Sequence, residues 1–350
     1  MGYLYFVAKR TVSYFAALIA TISIVYIGTY PEIQKVIISS SNFLAGQYQQ
    51  TLLRTSKGLT AAQIHTLVAG FKSNYLSAFG FNQPLPVKFG LQLYNLMTFH
   101  FGTSFFINAP NGSNQVSSVI AAYLPNTILL FTTGTVLLIV LGTIIGLFAA
   151  KSAGGILDKI VPFVAVIHSS LPTWWVGFLL IAGLAYGVSL FPTSGMMSIP
   201  PPGNPLSYVG SLLDHMTLPL VAFLIVNIGG FTYVIRSLVV STIGEDFVIT
   251  AKARGFSESR IIFRHVLRTA SPAIATQSIL AVTGSFAGGL TTEIVFNWPG
   301  VGLLTYESIL ANDVPIILGI TFVLTVVLLV GLYIGDVVYG LLDPRIKSGG

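Results

Sequence analysis

Cysteine is absent from the 350-residue sequence, which excludes disulfides, thiolate metal sites and cysteine nucleophiles and leaves the redox compartment open. Charge is nearly as scarce. Asp, Glu, Lys and Arg supply 8% of the residues, against roughly 25% in a soluble globular protein. A water-facing surface cannot be built from that supply, and disorder requires the opposite composition. No G-x-x-x-x-G-K-[ST] phosphate loop occurs, so the chain carries no ATPase core of that kind. The five histidines (His65, His100, His168, His215 and His265) lack metal-ligand spacing and read as packing or interface residues. His168-Ser169-Ser170 has no acidic neighbour to suggest a hydrolytic triad.

What is there is apolar: 53% of residues are hydrophobic and the mean hydropathy is +0.82. With about 20 apolar residues per crossing, the chain has room for several membrane helices and one sizeable loop. Its 35 Gly and 17 Pro are compatible with that, because membrane spans tolerate both. The composition predicts an all-α integral membrane protein in contact with lipid. The net charge of +6 marks the loops of such a chain rather than a nucleic-acid partner.

An uncharged stretch at 11–30 follows Lys9-Arg10 and reads as a retained first span with a cytoplasmic N-terminus; it is too long for a signal peptide and no cleavage site follows. Further spans are expected near 125–150, 160–190, 217–242, 272–296 and 315–341, with Pro125 in the first turn of its helix. Six spans put both termini on one side. The short loops then assigned to the cytoplasm hold Lys9, Arg10, Lys151, Lys159, Lys252, Arg254, Arg260, Arg264, Arg268, Arg345 and Lys347, 11 of the 17 basic residues. The short outer loops, 191–216 and 297–314, hold none. Lys35, Arg54, Lys57, Lys72 and Lys88 fall in 31–124, which is too long for the rule to govern. The expected organisation is therefore 1–30, cytoplasmic N-terminus and first span; 31–117, an extracytoplasmic loop; 118–343, a five-helix core; and 344–350, a cytoplasmic tail. The location is the cell membrane.

Arg236 and Asp336 lie about two turns from the cytoplasmic ends of their spans, with Arg236 able to snorkel, and Glu293 lies near an outer end. None sits at mid-membrane, where an ion relay is expected. A self-contained, gradient-driven transporter or channel is thus disfavoured against a chain driven from elsewhere.

Residues 244–271, followed by Pro272, read as two short cytoplasmic helices. Glu245 and Asp246 suit the first N-terminus, Lys252 and Arg254 its last turn, and Gly255 a left-handed C′ position. Ser257 suits the second N-terminus, with Glu258 in its first turn and Arg264, His265 and Arg268 toward its end. One reading is a solvated basic loop. The other is a docking helix for a cytoplasmic partner, with Ala251, Ala253 and Gly255 permitting close approach and Phe247 seated in a pocket.

The run Asp246-Phe247-Val248-Ile249-Thr250-Ala251-Lys252-Ala253-Arg254-Gly255-Phe256-Ser257 resembles the EAA-type loop of ATP-binding-cassette importer permeases, in the oligopeptide/dipeptide branch's version, D-Y-V-x-T-A-x-A-K-G-[LF]-S. His265, Arg268 and Pro272 also resemble that branch. Ile249 stands where the broader family often has Glu and Arg254 where it has Lys, but the Ala and Gly positions are present. Glu293-Ile294-Val295-Phe296-Asn297-Trp298-Pro299-Gly300-Val301-Gly302, continuing to Asp313-Val314-Pro315, resembles E-x-x-F-x-x-P-G-x-G…D-x-P. Phe191-Pro192-Thr193-Ser194-Gly195, Leu218-Pro219, Asp336 and Asp343-Pro344-Arg345 match as well. The long loop after the first span points to the B-type subunit. Gly80-Phe81-Asn82-Gln83-Pro84 and Phe101-Gly102-Thr103-Ser104 resemble its outer-loop segments, with His100 replacing an Asp.

The resemblance implies a type I permease fold of six transmembrane helices and no catalytic residue in the chain. Asp246, Phe247, Thr250, Ala251, Ala253, Arg254 and Gly255 would be the ATPase-coupling residues. The implied partners are a second homologous permease, two cytoplasmic ATPases holding ATP and Mg, and an extracytoplasmic substrate-binding protein. Oligopeptides rank first as cargo and oligosaccharides second. Glu293, Trp174 and Trp175 are candidates for the translocation path, with lipid or interhelix packing the plainer role for the tryptophans. Asn111-Gly112-Ser113 is a glycosylation sequon on the expected outer loop.

Overall fold

The computed structural model describes residues 3–342 except 56–58, 79, 82 and 153. The tail 344–350, Asp343-Pro344-Arg345, Lys347, Lys57 and Asn82 lie outside the described residues. Among the described residues the chain is helical, with a single isolated bridge between Thr103 and Gln115. These residues divide into two compact units. The first takes those of Met1–Phe15, Ala121–Glu307 and Leu324–Gly350, and the second takes Ala16–Ile120 and Ser308–Val323.

Helix α1, Tyr3–Thr55, does not stop near residue 30 as the hydropathy suggests; it continues for 53 residues with Pro31 inside it, about 80 Å at 1.5 Å per residue. The ion pair from Lys35 to Glu32, at 2.7 Å, supports the turn that follows the proline. The expected loop is therefore largely helix. α2, Ala61–Ala78, starts in a capping box: the Thr60 hydroxyl accepts from the Gln63 amide, and the Gln63 side chain accepts from the Thr60 N–H. After α3, Leu85–Met97, an irregular stretch leads to the next helix. The core of this second unit gathers Tyr26, Val36, Val314 and Leu318.

The first unit holds most of α4, Val116–Lys151. It begins nine residues before Pro125, so Pro125 is interior rather than in the first turn. The expected span at 160–190 is two helices, α5 (Ile156–Ser170) and α6 (Thr173–Leu180, extended by a π-helical turn to Gly187), bent by 88°. The bend falls at Leu171, which Pro172 restricts to an extended conformation, φ −86° and ψ 121°. α7, Pro205–Ile243, starts well before the apolar run because Asn204 caps it, accepting from the Ser207 N–H at 2.7 Å, with Pro205 in the first turn. Gly229 lets α7 approach α5 closely: a Cβ there would meet the Ala165 Cα at 3.0 Å.

Beyond α7 come α8, Asp246–Ala253, and α9, Glu258–Arg260, which runs through a π-helical segment (Ile261–Val266) into α10, Leu267–Ser285. Pro272, expected at the start of a span, therefore sits inside a helix. A 51° bend separates this run from α11, Leu290–Phe296. α12, Val301–Leu310, occupies most of an expected loop, and α13 spans Val314–Leu342. Among the described residues four helices are long and apolar enough to cross a membrane, and up to six when each bent pair counts as one span.

Candidate functional site

α8 is held by one face and presents the other. Val248 and Ala251, 1% and 7% exposed, enter a core with Leu147 and Ala150 of α4, Ile235 and Val239 of α7, and Ile261, Val266, Ala270 and Ile274 of the α9–α10 run. Burying a valine contributes about 1.5–3 kcal/mol, enough to hold two helical turns that would not be stable alone. Asp246, Ile249, Thr250, Ala253 and Arg254 follow at helical spacing on the opposite face, all exposed. Phe247 is half-buried against the same core rather than projecting outward. Ala251 likewise faces this chain's own interior, so it is not a surface position open to close approach.

The C-terminus of α8 is a complete Schellman motif. The Gly255 N–H donates to the Lys252 carbonyl at 2.9 Å and the Phe256 N–H to the Ala251 carbonyl at 3.3 Å, with Gly255 at φ +77°. The glycine is therefore required by backbone conformation, while the space around its missing Cβ is open. Phe256 then turns back, stacking on His265 at 5.7 Å, with the Arg260 guanidinium 4.7 Å from its ring. The N-terminal caps differ from expectation. Glu245 and Ser257 occupy the cap positions, but neither side chain accepts a capping bond. Packing, not capping, sets both starts.

The second family-like segment is built the opposite way. Glu293, 0% exposed, accepts from the Thr127 hydroxyl at 2.7 Å and, through its other oxygen, from the Leu303 N–H at 3.0 Å. Leu303 lies in the first turn of α12, where a carboxylate complements the helix dipole. Thr127 in turn accepts from the Val301 N–H at 2.7 Å. The Trp298 indole, fully buried, donates to the Asn126 carbonyl at 3.0 Å, and the Asn126 amide donates to the Pro299 carbonyl at 2.7 Å. A Cβ on Gly300 would collide with both Glu293 carboxylate oxygens and the Thr127 hydroxyl. Glu293 thus clamps α11, α12 and α4 together and presents no oxygen to a passage surface.

Trp174 and Trp175 lie just after the 88° bend and are exposed, 44% and 43%, with Trp174 edge-on to Phe178 at 6.2 Å. Arg236 and Asp336, the other two span charges singled out in the sequence, are paired within the chain. Arg236 does not snorkel: its Nε donates to Asp158 at 2.7 Å, and Asp158 also accepts from the Gly154 N–H. Asp336 accepts from the Tyr14 hydroxyl at 2.6 Å and pairs with Arg10 at 3.1 Å. In the second unit, buried Asp313 accepts from the Ser104 hydroxyl at 2.6 Å and from the Phe106 N–H at 2.9 Å, uniting two segments that the sequence left separate. Asp158 and Thr127 carried no sequence signal of their own; only the buried charges they answer pointed to a need for partners. Among the described residues no three His, Cys, Asp or Glu groups are placed to hold a metal ion.

The chain is similar to known membrane transport proteins. A family model described as "Binding-protein-dependent transport system inner membrane component" matches residues 142–348. The oligopeptide transport system permease protein AppB of Bacillus subtilis (strain 168) is 30% identical over 276 residues, 79% of this chain and 85% of that protein. The dipeptide transport system permease protein DppB of the same organism is 32% identical, covering 79% and 84%. The metal-staphylopine import system permease protein CntB of Staphylococcus aureus is 28% identical, covering 77% and 81%. A solved chain of the MetNI methionine ABC transporter, in inward-facing conformation, superposes with a TM-score of 0.52 at 12% identity, covering 66% of this chain and 99% of that one, a likeness of fold.

Proposed function

The chain belongs to the family of binding-protein-dependent transport system inner membrane components, and from that premise we propose that it is the B-type permease of an ATP-driven importer of oligopeptides or dipeptides. The observation that carries the coupling role is α8: a helix with one face anchored in this chain and a contiguous outer face of Asp246, Ile249, Thr250, Ala253 and Arg254 left exposed. Its core contacts reach α4, α7 and α10. A displacement applied to the outer face is therefore delivered to three long helices at once, through side chains packed too tightly to absorb it. The Gly255 motif fixes the far end of the lever.

ATP and Mg reside on two cytoplasmic ATPase subunits that seat on α8. A second, homologous permease completes the membrane path, and an extracytoplasmic binding protein delivers cargo. Both termini and the 244–271 loop face the cytoplasm, following the basic residues. Residues 31–117 lie outside, and 118–343 form the permease core. The exposed Ile249 gives the outer face an apolar contact.

Peptide cargo is supported by the two peptide permeases that align over four-fifths of the chain. The metal-staphylopine import permease among the relatives makes a metal-bearing cargo the second reading. Uptake of labelled peptides by cells expressing the full transporter, with and without the permease, tests the assignment. Loss of peptide uptake on deletion supports it. Unchanged peptide uptake alongside loss of oligosaccharide or metal-chelate uptake would overturn the cargo.

A further inference from the structure

The second unit contains a cleft of about 480 Å³ that none of the roles above uses. It is formed by α1 near Tyr30, the end of α2, α3, the 100–105 stretch and the start of α13. Pockets of roughly 300–1,000 Å³ suit small organic molecules, and this one falls in that range.

The cleft is bordered by Lys88, Tyr30, Gln34, Gln92, Asn95 and His100, with the hydroxyls of Ser77 and Thr103 and the amide of Gln83 at its margin. Lys88 Nζ donates to the Tyr30 hydroxyl oxygen at 3.2 Å, and the Gln34 amide donates to the same oxygen at 2.6 Å. A phenol oxygen has two acceptor sites and one proton. With both sites taken, the Tyr30 proton is directed away from Gln34 and Lys88. Lys88 also lies 4.9 Å from the Phe81 ring and 5.7 Å from the Tyr30 ring, so its charge is steadied by aromatic faces rather than by a counterion. The side chains of Gln92 and Asn95 border the same space. No Asp or Glu lines it among the described residues. Lys88, the Tyr30 phenol proton, the amides and the imidazole of His100, without a single carboxylate among the described lining residues, make a site whose missing partner is an anionic acceptor. Leu91 and Leu318 supply an apolar wall.

We propose that this cleft binds the carboxylate of a small, peptide-sized molecule. Lys88 and Tyr30 take the carboxylate oxygens, and Gln92 and Asn95 serve the neighbouring amide. The residues carry the carboxylate; the choice of a peptide as its bearer rests on the importer reading. The test uses the full chain in lipid nanodiscs and equilibrium binding of radiolabelled trialanine, with trialanine amide as the uncharged counterpart.

The expected result is saturable binding of trialanine, with the amide weaker by about tenfold or more. Lys88→Gln should bring trialanine down to the level of the amide, while Lys88→Arg retains most of the difference. Tyr30→Phe, which removes only a hydroxyl, should weaken trialanine a few-fold and serves if the lysine variant inserts poorly. Equal binding of acid and amide, an absence of saturable trialanine binding, or undiminished binding in Lys88→Gln and Tyr30→Phe would each overturn the proposal. Recovery of the ATPase with the natural chain, measured on the same preparations, separates the two ideas: the carboxylate site can fail while recovery is normal, and the importer reading fails if no ATPase is recovered.

Discussion

α8 and the α11–α12 segment both match family-like motifs, yet they use their residues in opposite ways. α8 commits Val248 and Ala251 to the interior and leaves Asp246, Ile249, Thr250, Ala253 and Arg254 outside. The 293–302 motif of the α11–α12 segment commits its central residues: Glu293 and Trp298 are fully buried, as is their α4 neighbour Thr127, and the carboxylate accepts from Thr127 and Leu303. A motif with a free face is suited to another molecule, whereas a motif whose polar groups are all answered internally holds its own helices in place. On the proposed reading, coupling falls to 246–255, and the buried contacts of 293–302 hold helices of this chain together. Substitutions in the two segments should therefore fail differently.

The largest effect is expected at the scaffold. Glu293→Ala leaves the Thr127 hydroxyl and the Leu303 N–H buried without an acceptor, a loss of about 3 kcal/mol or more with the cavity included. Thermal unfolding in detergent and the yield of inserted protein should both fall, and uptake should fall only in proportion to that yield. Normal stability with abolished uptake would return Glu293 to the translocation path. Next is Ala251→Phe, which forces bulk between α8 and its own core and costs about 1–3 kcal/mol. It should release α8 from its seat, lowering uptake and ATPase recovery together.

Gly255→Trp should be smaller in stability and sharper in function. The left-handed backbone costs roughly 1 kcal/mol for a residue with a side chain, and no atom lies within 4 Å of the position its Cβ would take. Insertion should be normal while uptake is lost, measured together with ATPase pull-down from the same membranes. Full uptake with normal ATPase recovery in this variant would break the comparison. Smallest of all, Arg254→Ala removes an exposed charge and should weaken ATPase recovery by about fivefold or less, with the difference shrinking in high salt.

The apolar runs made the membrane helices legible, and the ends of α8 were legible because Gly255 has a specific backbone task. Three features were not. The continuation of α1 past Pro31 depends on ordinary helix-forming residues whose hydropathy falls away once the stretch leaves the apolar range. The 88° bend at Leu171-Pro172 was visible as a proline, but Pro31, Pro125, Pro162, Pro219 and Pro272 all lie inside helices. Proline alone therefore cannot say which site turns the chain; the tertiary contacts decide. The burial of Glu293 was hidden for a related reason: its partners come from α4 and α12, so its position along the span carried no information about them. Similarly, the small residues of α8 suggested docking as a group, but the helix period puts Ala251 inside and Ala253 outside.

The absence of cysteine allows the central claim to be tested directly, because single cysteines can be placed in the natural background without removing any. Thr250→Cys and Ala253→Cys lie on the exposed face of α8, and Ala251→Cys lies on the buried one. In the assembled transporter, a short thiol-to-amine crosslinker should join positions 250 and 253 to the ATPase subunit, with position 251 giving little product. Crosslinking at 251 but not at 250 and 253, or no ATPase product from any of the three, would contradict the account.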